Sequence, residues 1–566
     1  MSHPTLAFAL TLSLFAVGAS GCGESEDRAA TDAELPGGDT ADDGADGAGD
    51  ADGAGDVDGA SPEVHLGDLG PDAEPFGTCE QDPLATAEGL AEKAARYDAI
   101  ARRLHLHPEL GWAMSVTLAT GVDEDSATHD DVAAWHTGEN DGLWSGLYMA
   151  SQAFRYATTG DEEALSNLEL LLASETDRMR ITGVPGVFTR QMIPPGVPGI
   201  ACPEDDAAYT TDVEKDDNRW VRIDQGGCAN VVDHATGQWT TTRHCGLDAY
   251  AGWCFLDNVS QDEYAGHMLA LGAIWRLVDV PGVRDAAAAL LEAVGVHLME
   301  HDLAFVDWDG RVTEHGRLWA TSFADTPGFL AAESLAFIRL AADASGREDL
   351  DRYYHDCLLQ EAGPEPCLPY PLESGDPYTS WLSFMAVLAE PDGCKSNYNN
   401  LSMVMTWLFD LLLVEDDPAV RAPALAALDQ EIFRAPNPRN LEAQHNTWFT
   451  FMWAAMHRLE PETASAADRA TMETAVCGLR QFPASKAVQT LDPGSLWPHD
   501  CEGRLGGSQA GSPIPVAQRC VRTFLWWGSP YDRSACTADD RTILQPADYL
   551  LPYWMGRYYG YLPAEL

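Results

Sequence analysis

Two acidic segments carry the residue types that acid–base chemistry on a sugar requires. The first is Glu139-Asn140-Asp141, directly before a predicted helix, and the second spans residues 257–267. Cleavage of a glycosidic bond uses two carboxyl groups, one of which is kept protonated by burial. Asp141 paired with Asp262, or with Asp257, would supply these two groups if the fold brings them together.

Ordinary helix capping explains part of both segments. Asp141 suits an N-cap position, because an Asp side chain accepts a backbone N–H at the start of a helix. Ser260, followed three residues later by Glu263, predicts a capping box. Capping leaves Asp257, Asp262 and His267 unexplained. Glu263 lies four residues before His267, so the two share a helix face and Glu263 would orient the imidazole.

A third set of residues suits elimination rather than hydrolysis. Elimination beside a uronate carboxylate needs a base such as His or Tyr, and an Asn or Arg that neutralises the carboxylate. Residues of these types lead two predicted helices or supply cations: Asn397-Tyr398-Asn399-Asn400, His445, Asn446, Arg190 and Arg557. Each also has an ordinary explanation, since Asn caps helices and a His is often a core residue.

Aromatic residues are a further indication of sugar binding, because flat rings stack on the apolar faces of sugars. The chain has 17 Trp residues. Trp144 follows the first acidic segment, and other Trp residues lie in predicted loops: Trp135, Trp220, Trp239, Trp319 and Trp497. A core role is the alternative for each of them. The sequence lacks HExxH, phosphate-loop, dinucleotide and CxxC motifs, so we expect no cofactor and no metal.

Charge excludes several classes of partner. The chain has 89 acidic and 34 basic residues, a formal net charge of -55, which argues against nucleic acid and anionic lipid surfaces. Residues 22–83 are built largely from Ala, Gly and Asp, with Arg28 as their single Arg or Lys. A segment with so little to bury is predicted to be a disordered acidic tether.

The N-terminus predicts export. Residues 10–21 are apolar and end in small residues, which indicates a signal peptide over residues 1–21. Cys22 follows directly and resembles the lipidated cysteine of a bacterial lipoprotein, which predicts a lipid-bilayer anchor and a place in the cell envelope. An ordinary secretion signal is the alternative. The chain has 13 cysteines, so the others are even in number and suit disulfides in an oxidising compartment, with their pairing left open.

Residues 84–566 are dominated by helical periodicity. Successive helices form hairpins, and the first helix of a pair is often apolar on most sides, as in residues 398–414 and 445–459. Its partner is amphipathic, which is typical of a peripheral helix. Alternating buried and peripheral helices predict an all-α fold, an (α/α)6 toroid of helical hairpins; an open α-solenoid is the alternative.

A set of motifs in this region resembles a group of uncharacterised bacterial secreted proteins with an α/α-toroid shape. The motifs are ENDGLW at 139–144, FRYATTG at 154–160, TGVPGVFTR at 182–190, SQDEYAGH at 260–267 and LPYWMGRY at 551–558. The resemblance covers nearly all of residues 130–562. It implies a fold similar to the six-hairpin glycosidases and the toroid-containing polysaccharide lyases, and it transfers no activity.

The sequence therefore predicts an exported, lipid-anchored protein that binds and cleaves polysaccharide in a central cleft, as a glycoside hydrolase or a lyase. The alternatives are a non-catalytic glycan- or peptide-binding lipoprotein and a structural one. The predicted catalytic residues are Asp141, Asp257, Asp262, His267 and His445. The predicted substrate-binding residues are Trp144, Arg190, Glu263, Asn400, Asn446 and Arg557.

Overall fold

The computed structural model describes residues 76–77, 79, 81–136, 138–211, 218–320, 326–360 and 376–564. The predicted signal peptide, Cys22 and most of the predicted tether lie outside these residues. The α-helices are α1 Leu90–Ile100, α2 Asp141–Thr159, α3 Glu162–Arg180, α4 Gln261–Leu277, α5 Pro281–Glu300, α6 Pro327–Ser345, α7 Glu348–Arg352, α8 Tyr378–Trp381, α9 Tyr398–Val414, α10 Pro418–Ala427, α11 Thr447–Met456, α12 Ala466–Arg480, α13 Pro493–Leu496 and α14 Ala547–Tyr558.

The prediction of an all-α toroid is wrong, because antiparallel sheets accompany the helices. The strands are β1 Val116–Leu118, β2 Val132–Trp135, β3 Gln191–Ile193, β4 Trp220–Ile223, β5 Cys228–Val232, β6 Trp239–Cys245, β7 Cys254–Leu256, β8 Ala304–Val306, β9 Val312–Arg317, β10 Ala487–Val488, β11 His499–Glu502, β12 Ser508–Ala510 and β13 Asp539–Ile543. Their pairing orders are β3-β7-β4-β5-β6, β10-β13-β1-β2, β8-β9 and β11-β12. The fold is therefore mixed α/β.

Local sequence explains where several helices begin and end. Asp161 accepts the backbone N–H of Glu163 at the start of α3, and Asn397 accepts that of Asn399 at the start of α9. Gly160 follows α2 at φ 66°, a left-handed conformation that glycine adopts without steric cost. The hairpin α2–α3 is thus closed by a glycine and an acidic cap in adjacent positions.

The apolar helices form the largest core of the protein. Helix α2 packs against α4 and α14, α4 packs against α9, and α9 packs against α6 and α11. Helix α6 packs mainly against α5 and α9. The inward faces are aromatic and aliphatic; Trp407 of α9, for example, is fully buried against Phe329 and Phe337 of α6. Burying this apolar surface is the main force that holds the helices together.

The sheets occupy the connections that lead into the buried helices. The sheet β3-β7-β4-β5-β6 lies between α3 and α4 in the chain, β8–β9 precedes α6, and β13 precedes α14. A second core lies under these strands and includes Trp112, Trp135 and Phe255. The sheets therefore lead into α2, α4 and α14, three of the helices that carry predicted site residues.

Disulfides are present, as the cysteine content predicts. Pairs join Cys79 to Cys477, Cys202 to Cys254, Cys228 to Cys245, Cys394 to Cys501 and Cys520 to Cys536.

The folded part includes residues ahead of the expected boundary at residue 84, because Phe76 is fully buried against Tyr561. Among the described helices, none combines the length and the apolarity that crossing a bilayer requires.

Candidate functional site

The first turns of three helices meet around the carboxylate of Asp262, the second residue of α4. Asn140, just before α2, donates its amide N–H to Asp262 Oδ2 at 3.3 Å, and Asn399 of α9 donates to the same oxygen at 3.4 Å. The Ser260 hydroxyl and the Glu263 backbone N–H bind Oδ1. All of these groups donate, which suits an acceptor-only carboxylate, and Asp262 itself stays half-buried and open to solvent.

Arg190 holds the Asn140 amide in the orientation that Asp262 needs. Its guanidinium donates to Asn140 Oδ1 at 3.3 Å and to the Glu139 carbonyl at 3.1 Å. Its Nε donates to the Asn258 carbonyl at 2.7 Å, directly before α4. Because the Asn140 oxygen faces Arg190, its NH2 group faces Asp262. Arg190 thus joins the loop before α2 to the loop before α4.

Aromatic rings adjoin this carboxylate. Trp527 donates its indole N–H to Asn399 Oδ1 at 2.5 Å, and the half-buried Trp144 meets the Trp527 ring edge-on at 5.9 Å. Trp448 stacks on Trp527 with a centroid distance of 5.9 Å. Trp448 and Trp527 are buried, so within this cluster Trp144 is the ring that keeps partial exposure beside the polar group.

Asp141 lies behind the first turn of α2. It is the first residue of the helix rather than its cap, and its Oδ1 accepts the Gly138 backbone N–H at 2.9 Å. Only 4% of Asp141 is exposed. Burial raises the pKa of Asp141 to about 7, and the guanidinium of Arg178 opposes that rise. Close to neutral pH, Asp141 therefore holds its proton in a large part of the molecules.

Two other buried acids lie within the electrostatic reach of Asp262. Burial raises the pKa of Glu263 well above its ordinary value, Arg190 opposes the rise, and the charge of Asp262 adds to it. Glu333 of α6 is fully buried, and burial together with the charge of Asp262 raises its pKa well above its ordinary value. Neither Glu333 oxygen has a hydrogen-bond partner within the described residues. The sequence reasoning missed Glu333, although a lone acid in an apolar helix is a recognisable signal.

The capping box predicted from Ser260 and Glu263 does not form. The Glu263 carboxyl leaves its own helix end and accepts the Leu143 backbone N–H of α2 at 2.7 Å. The predicted contact of Glu263 with His267 is confirmed, with Oε2 and Nε2 3.6 Å apart. His267 Nδ1 also lies 2.8 Å from Glu175 of α3, which the sequence reasoning did not consider.

Asp257 lies in a buried ion-pair network rather than at the open carboxylate. It accepts the Arg219 guanidinium and backbone N–H, both at 2.9 Å, and the Trp308 indole N–H at 3.1 Å. Burial raises the pKa of Asp257, and Arg219 opposes the rise. With its oxygens occupied by these donors, Asp257 holds β7 and β4 in place beneath the loop that carries Asn258.

The other predicted residues lie around or away from the Asp262 network. Asn446 caps α11 by accepting the Phe449 backbone N–H at 3.2 Å, and it donates to the Trp526 carbonyl at 2.8 Å. His445, directly before it, is exposed. Asn400 accepts the Asn397 amide at 2.8 Å. None of these three contacts Asp262 within the hydrogen bonds of the described residues.

Arg557 lies at the other end of the helices. It occupies the last turn of α14 and donates to the Tyr553 hydroxyl at 3.1 Å. The adjacent Tyr558 contacts Phe154, near the C-terminal end of α2, whereas Asp141 begins that helix. The structure therefore separates Arg557 from the remaining candidates.

Among the described side chains, two groups have a spacing that could hold a metal ion: Cys79 with Asp82 and Cys477, and Cys394 with Asp500 and Cys501. In each group the two cysteines form a disulfide with each other. Metal coordination by cysteine requires a thiolate, so neither group fits a metal ion as it stands.

Comparisons with known proteins leave the family open. No protein-family model and no curated protein sequence matches the chain. Among solved structures, the chain is similar to the crystal structure of a metagenome-derived glycoside hydrolase family 9 endoglucanase, with a TM-score of 0.28 and 13% identity. That similarity covers 84% of this chain and 80% of the other. At this level of similarity, function must be inferred from the geometry of the site.

Proposed function

We propose that this protein binds a neutral polysaccharide at the N-terminal ends of α2, α4 and α9 and hydrolyses it by general acid–base catalysis. The observation that carries the proposal is the half-exposed carboxylate of Asp262. Two amide side chains, Asn140 and Asn399, hold it in place, and the Trp144–Trp527 pair lies beside it. An open carboxylate next to rigid aromatic rings is the arrangement expected where a sugar ring stacks and its linkage faces an acid or base.

Hydrolysis requires two carboxyl groups in different protonation states. Asp262 accepts the hydrogen bonds of its neighbours, as a base does, whereas burial raises the pKa of Asp141 to about 7, so about half of the molecules keep the Asp141 proton at neutral pH. In the proposed step, Asp141 gives its proton to the glycosidic oxygen as the bond to the anomeric carbon breaks. Water attacks that carbon and loses a proton to Asp262.

The charge of the chain favours a neutral substrate. With a net charge of -55, the protein repels polyanions such as polyuronates. Elimination, the alternative chemistry, requires a uronate. A neutral chain of sugars avoids this repulsion and suits the amides and indoles around Asp262. Hydrolysis is therefore favoured over elimination.

Non-catalytic binding is the second candidate, and the burial of Asp141 favours it. A carboxyl group that is only 4% exposed reaches a bound sugar only if the loop before α2 shifts. A binding protein would use Asp262, Asn399 and Trp144 as they stand. Both functions predict affinity for a neutral polysaccharide, but only hydrolysis predicts that the bound chain is cleaved.

A panel of neutral and acidic polysaccharides tests these functions on the full-length protein. Released reducing ends without ultraviolet-absorbing products indicate hydrolysis, both signals together indicate elimination, and affinity without either indicates binding alone. We expect Asp262→Asn to lower hydrolysis about 10²- to 10⁴-fold. Asp285→Asn, the same change at an exposed residue of α5, is the matched control. Full activity in Asp262→Asn would remove this carboxylate from the mechanism.

We also propose that the protein reaches the cell envelope and is anchored there by a lipid on Cys22. The support is the apolar N-terminal run before Cys22 and the disulfides of the folded part, which form in oxidising compartments. Incorporation of a labelled fatty acid in the wild type, and its loss in Cys22→Ser, is the expected result. Equal labelling of the two proteins would contradict the anchor.

A further inference from the structure

We propose that Glu175, His267 and Glu263 form a buried relay that holds the first turn of α2 against the first turn of α4 and thereby places Asn140 on Asp262. The three are positioning residues, since none of them faces the open carboxylate. The inference rests on the proposed function for its purpose, but its geometry and its test do not depend on any substrate.

The relay runs through the His267 imidazole. Its Nδ1 lies 2.8 Å from Glu175 Oε2 on α3, and its Nε2 lies 3.6 Å from Glu263 Oε2 on its own helix. The Phe188 ring stacks on the imidazole with a centroid distance of 4.2 Å, which fixes the plane of the ring. All three relay side chains are buried, so bulk water does not compete for these contacts.

Glu263 transmits the position of the imidazole to α2. Its Oε2 accepts the Leu143 backbone N–H at 2.7 Å. The first N–H groups of a helix have no partner within the helix, so this contact satisfies a donor that otherwise lacks one. A Cβ on Gly142 would lie 2.4 Å from both Glu263 Oε2 and His267 Cε1. The start of α2 thus rests directly on the relay, and only glycine fits there.

Other ionisable groups face the relay from each neighbouring element. Arg178 comes from α3, Asp141 from α2, Tyr264 and Asp262 from α4, and Arg190 from the loop before β3. The cations lower the pKa of Glu263 and the carboxylates raise it, but burial dominates and holds that pKa well above its ordinary value.

Packing alone does not account for these residues. Burying an imidazole and two carboxyl groups costs more free energy than burying aliphatic side chains of the same volume. In exchange for this cost, Glu263 supplies a hydrogen-bond acceptor in a fixed direction. An aliphatic residue at position 263 would offer no acceptor to the Leu143 backbone N–H. A defined acceptor fixes the register of α2 against α4, and that register sets the separation of Asn140 from Asp262.

Hydrogen–deuterium exchange of the full-length protein, followed by mass spectrometry, tests the relay without a substrate. We expect Glu175→Gln to raise exchange in peptides covering residues 139–147 about tenfold, because the carboxyl group that lies 2.8 Å from the His267 imidazole is lost from the relay. Peptides from α9 should not change. Glu169→Gln, the same change at an exposed position of α3, is the control and should match the wild type. Unchanged exchange at 139–147, or an equal rise in all peptides, would overturn the proposal.

A measurement on the wild type decides the question if Glu175→Gln does not fold. In ¹⁵N-histidine spectra, the His267 signal is assigned by its loss in His267→Gln or by its contacts with the Phe188 ring. As proposed, the relay has its imidazole proton on Nδ1, the nitrogen that lies 2.8 Å from Glu175 Oε2. A neutral ring protonated only on Nε2 would overturn the relay. Either result stands whether or not a polysaccharide is ever cleaved.

Discussion

Gly146 of α2 lies so close to Gly266 of α4 that a Cβ on Gly146 would come within 2.4 Å of the Gly266 carbonyl oxygen. The approach is equally close from the side of α4, since a Cβ on Gly266 would lie 2.5 Å from the backbone of Leu143, three residues before Gly146 on α2. Two facing glycines therefore allow the helices to approach at backbone contact. This approach brings the Leu143 N–H within reach of Glu263.

We expect Gly146→Ala to destabilise the protein by about 1 to 3 kcal/mol, because the added methyl meets backbone that cannot rotate away. The free energy of unfolding in denaturant measures the effect. Gly282→Ala is the matched control, since nothing lies within 4 Å of a Cβ at that helical position. In the control, alanine's higher helix propensity should leave stability unchanged or slightly raised. Equal effects of the two substitutions would show that the close approach is not needed.

Asp141 should make stability fall as pH rises. Its pKa is raised from 3.8 to about 7 in the folded protein, so the folded state keeps a proton that the unfolded state has lost. The stability that this retained proton contributes is fully present below the unfolded-state pKa of 3.8, and it is lost as pH rises through the folded-state pKa of about 7. At about 1.4 kcal/mol per pKa unit, the loss between pH 5 and 8 is about 2 to 3 kcal/mol.

Asp141→Asn removes this titration and keeps the acceptor for the Gly138 N–H. The variant should therefore gain stability over the wild type as pH rises from about 5 to about 8, by the same 2 to 3 kcal/mol. Denaturant unfolding at each pH supplies both curves. A constant difference between the two proteins across this range would mean that Asp141 ionises normally in the folded state.

Periodicity in the sequence was sufficient to locate the buried helices. Helix α9 is expected over residues 398–414 and spans Tyr398–Val414, because apolar residues on most sides are typical of a buried helix. The same spacing placed Glu263 beside His267, which the structure confirms. Asp262 lies at the start of α4, but no pattern in the sequence indicates that Asn140 and Asn399 would hold it, and its catalytic role stays a prediction.

The sheets and two buried acids escaped the sequence reasoning for physical reasons. Strands such as β3 have only three residues, too few for an alternating pattern to stand out between loops. Glu175 lies on the amphipathic helix α3, where an acid is normally solvated, and only the packing of α3 near α4 buries it. The capping box failed because Leu143, more than a hundred residues away, competes for Glu263.

The disulfide between Cys79 and Cys477 should contribute more to stability than the one between Cys520 and Cys536. The first closes a loop with a sequence separation of 398 and the second one of 16. Chain entropy assigns about 6 kcal/mol to the longer loop and about 3 kcal/mol to the shorter. Unfolding of the two double Cys→Ser variants in denaturant compares them, and a larger loss for the Cys520–Cys536 pair would contradict the expectation.

Substitution by Asn should lower stability at Asp257, whereas at Asp262 it should lower hydrolysis and leave stability nearly unchanged. Asp257→Asn removes a buried partner of Arg219, which costs about 3 to 5 kcal/mol when a buried ion pair is broken. Asp262→Asn changes a half-exposed group whose neighbours are amides and a hydroxyl, so its unfolding free energy should shift by less than about 1 kcal/mol. Thermal unfolding and hydrolysis per folded molecule, measured on both variants, separate the two roles. If Asp257→Asn instead lost activity at full stability, then this network, rather than the carboxylate on α4, would carry the chemistry.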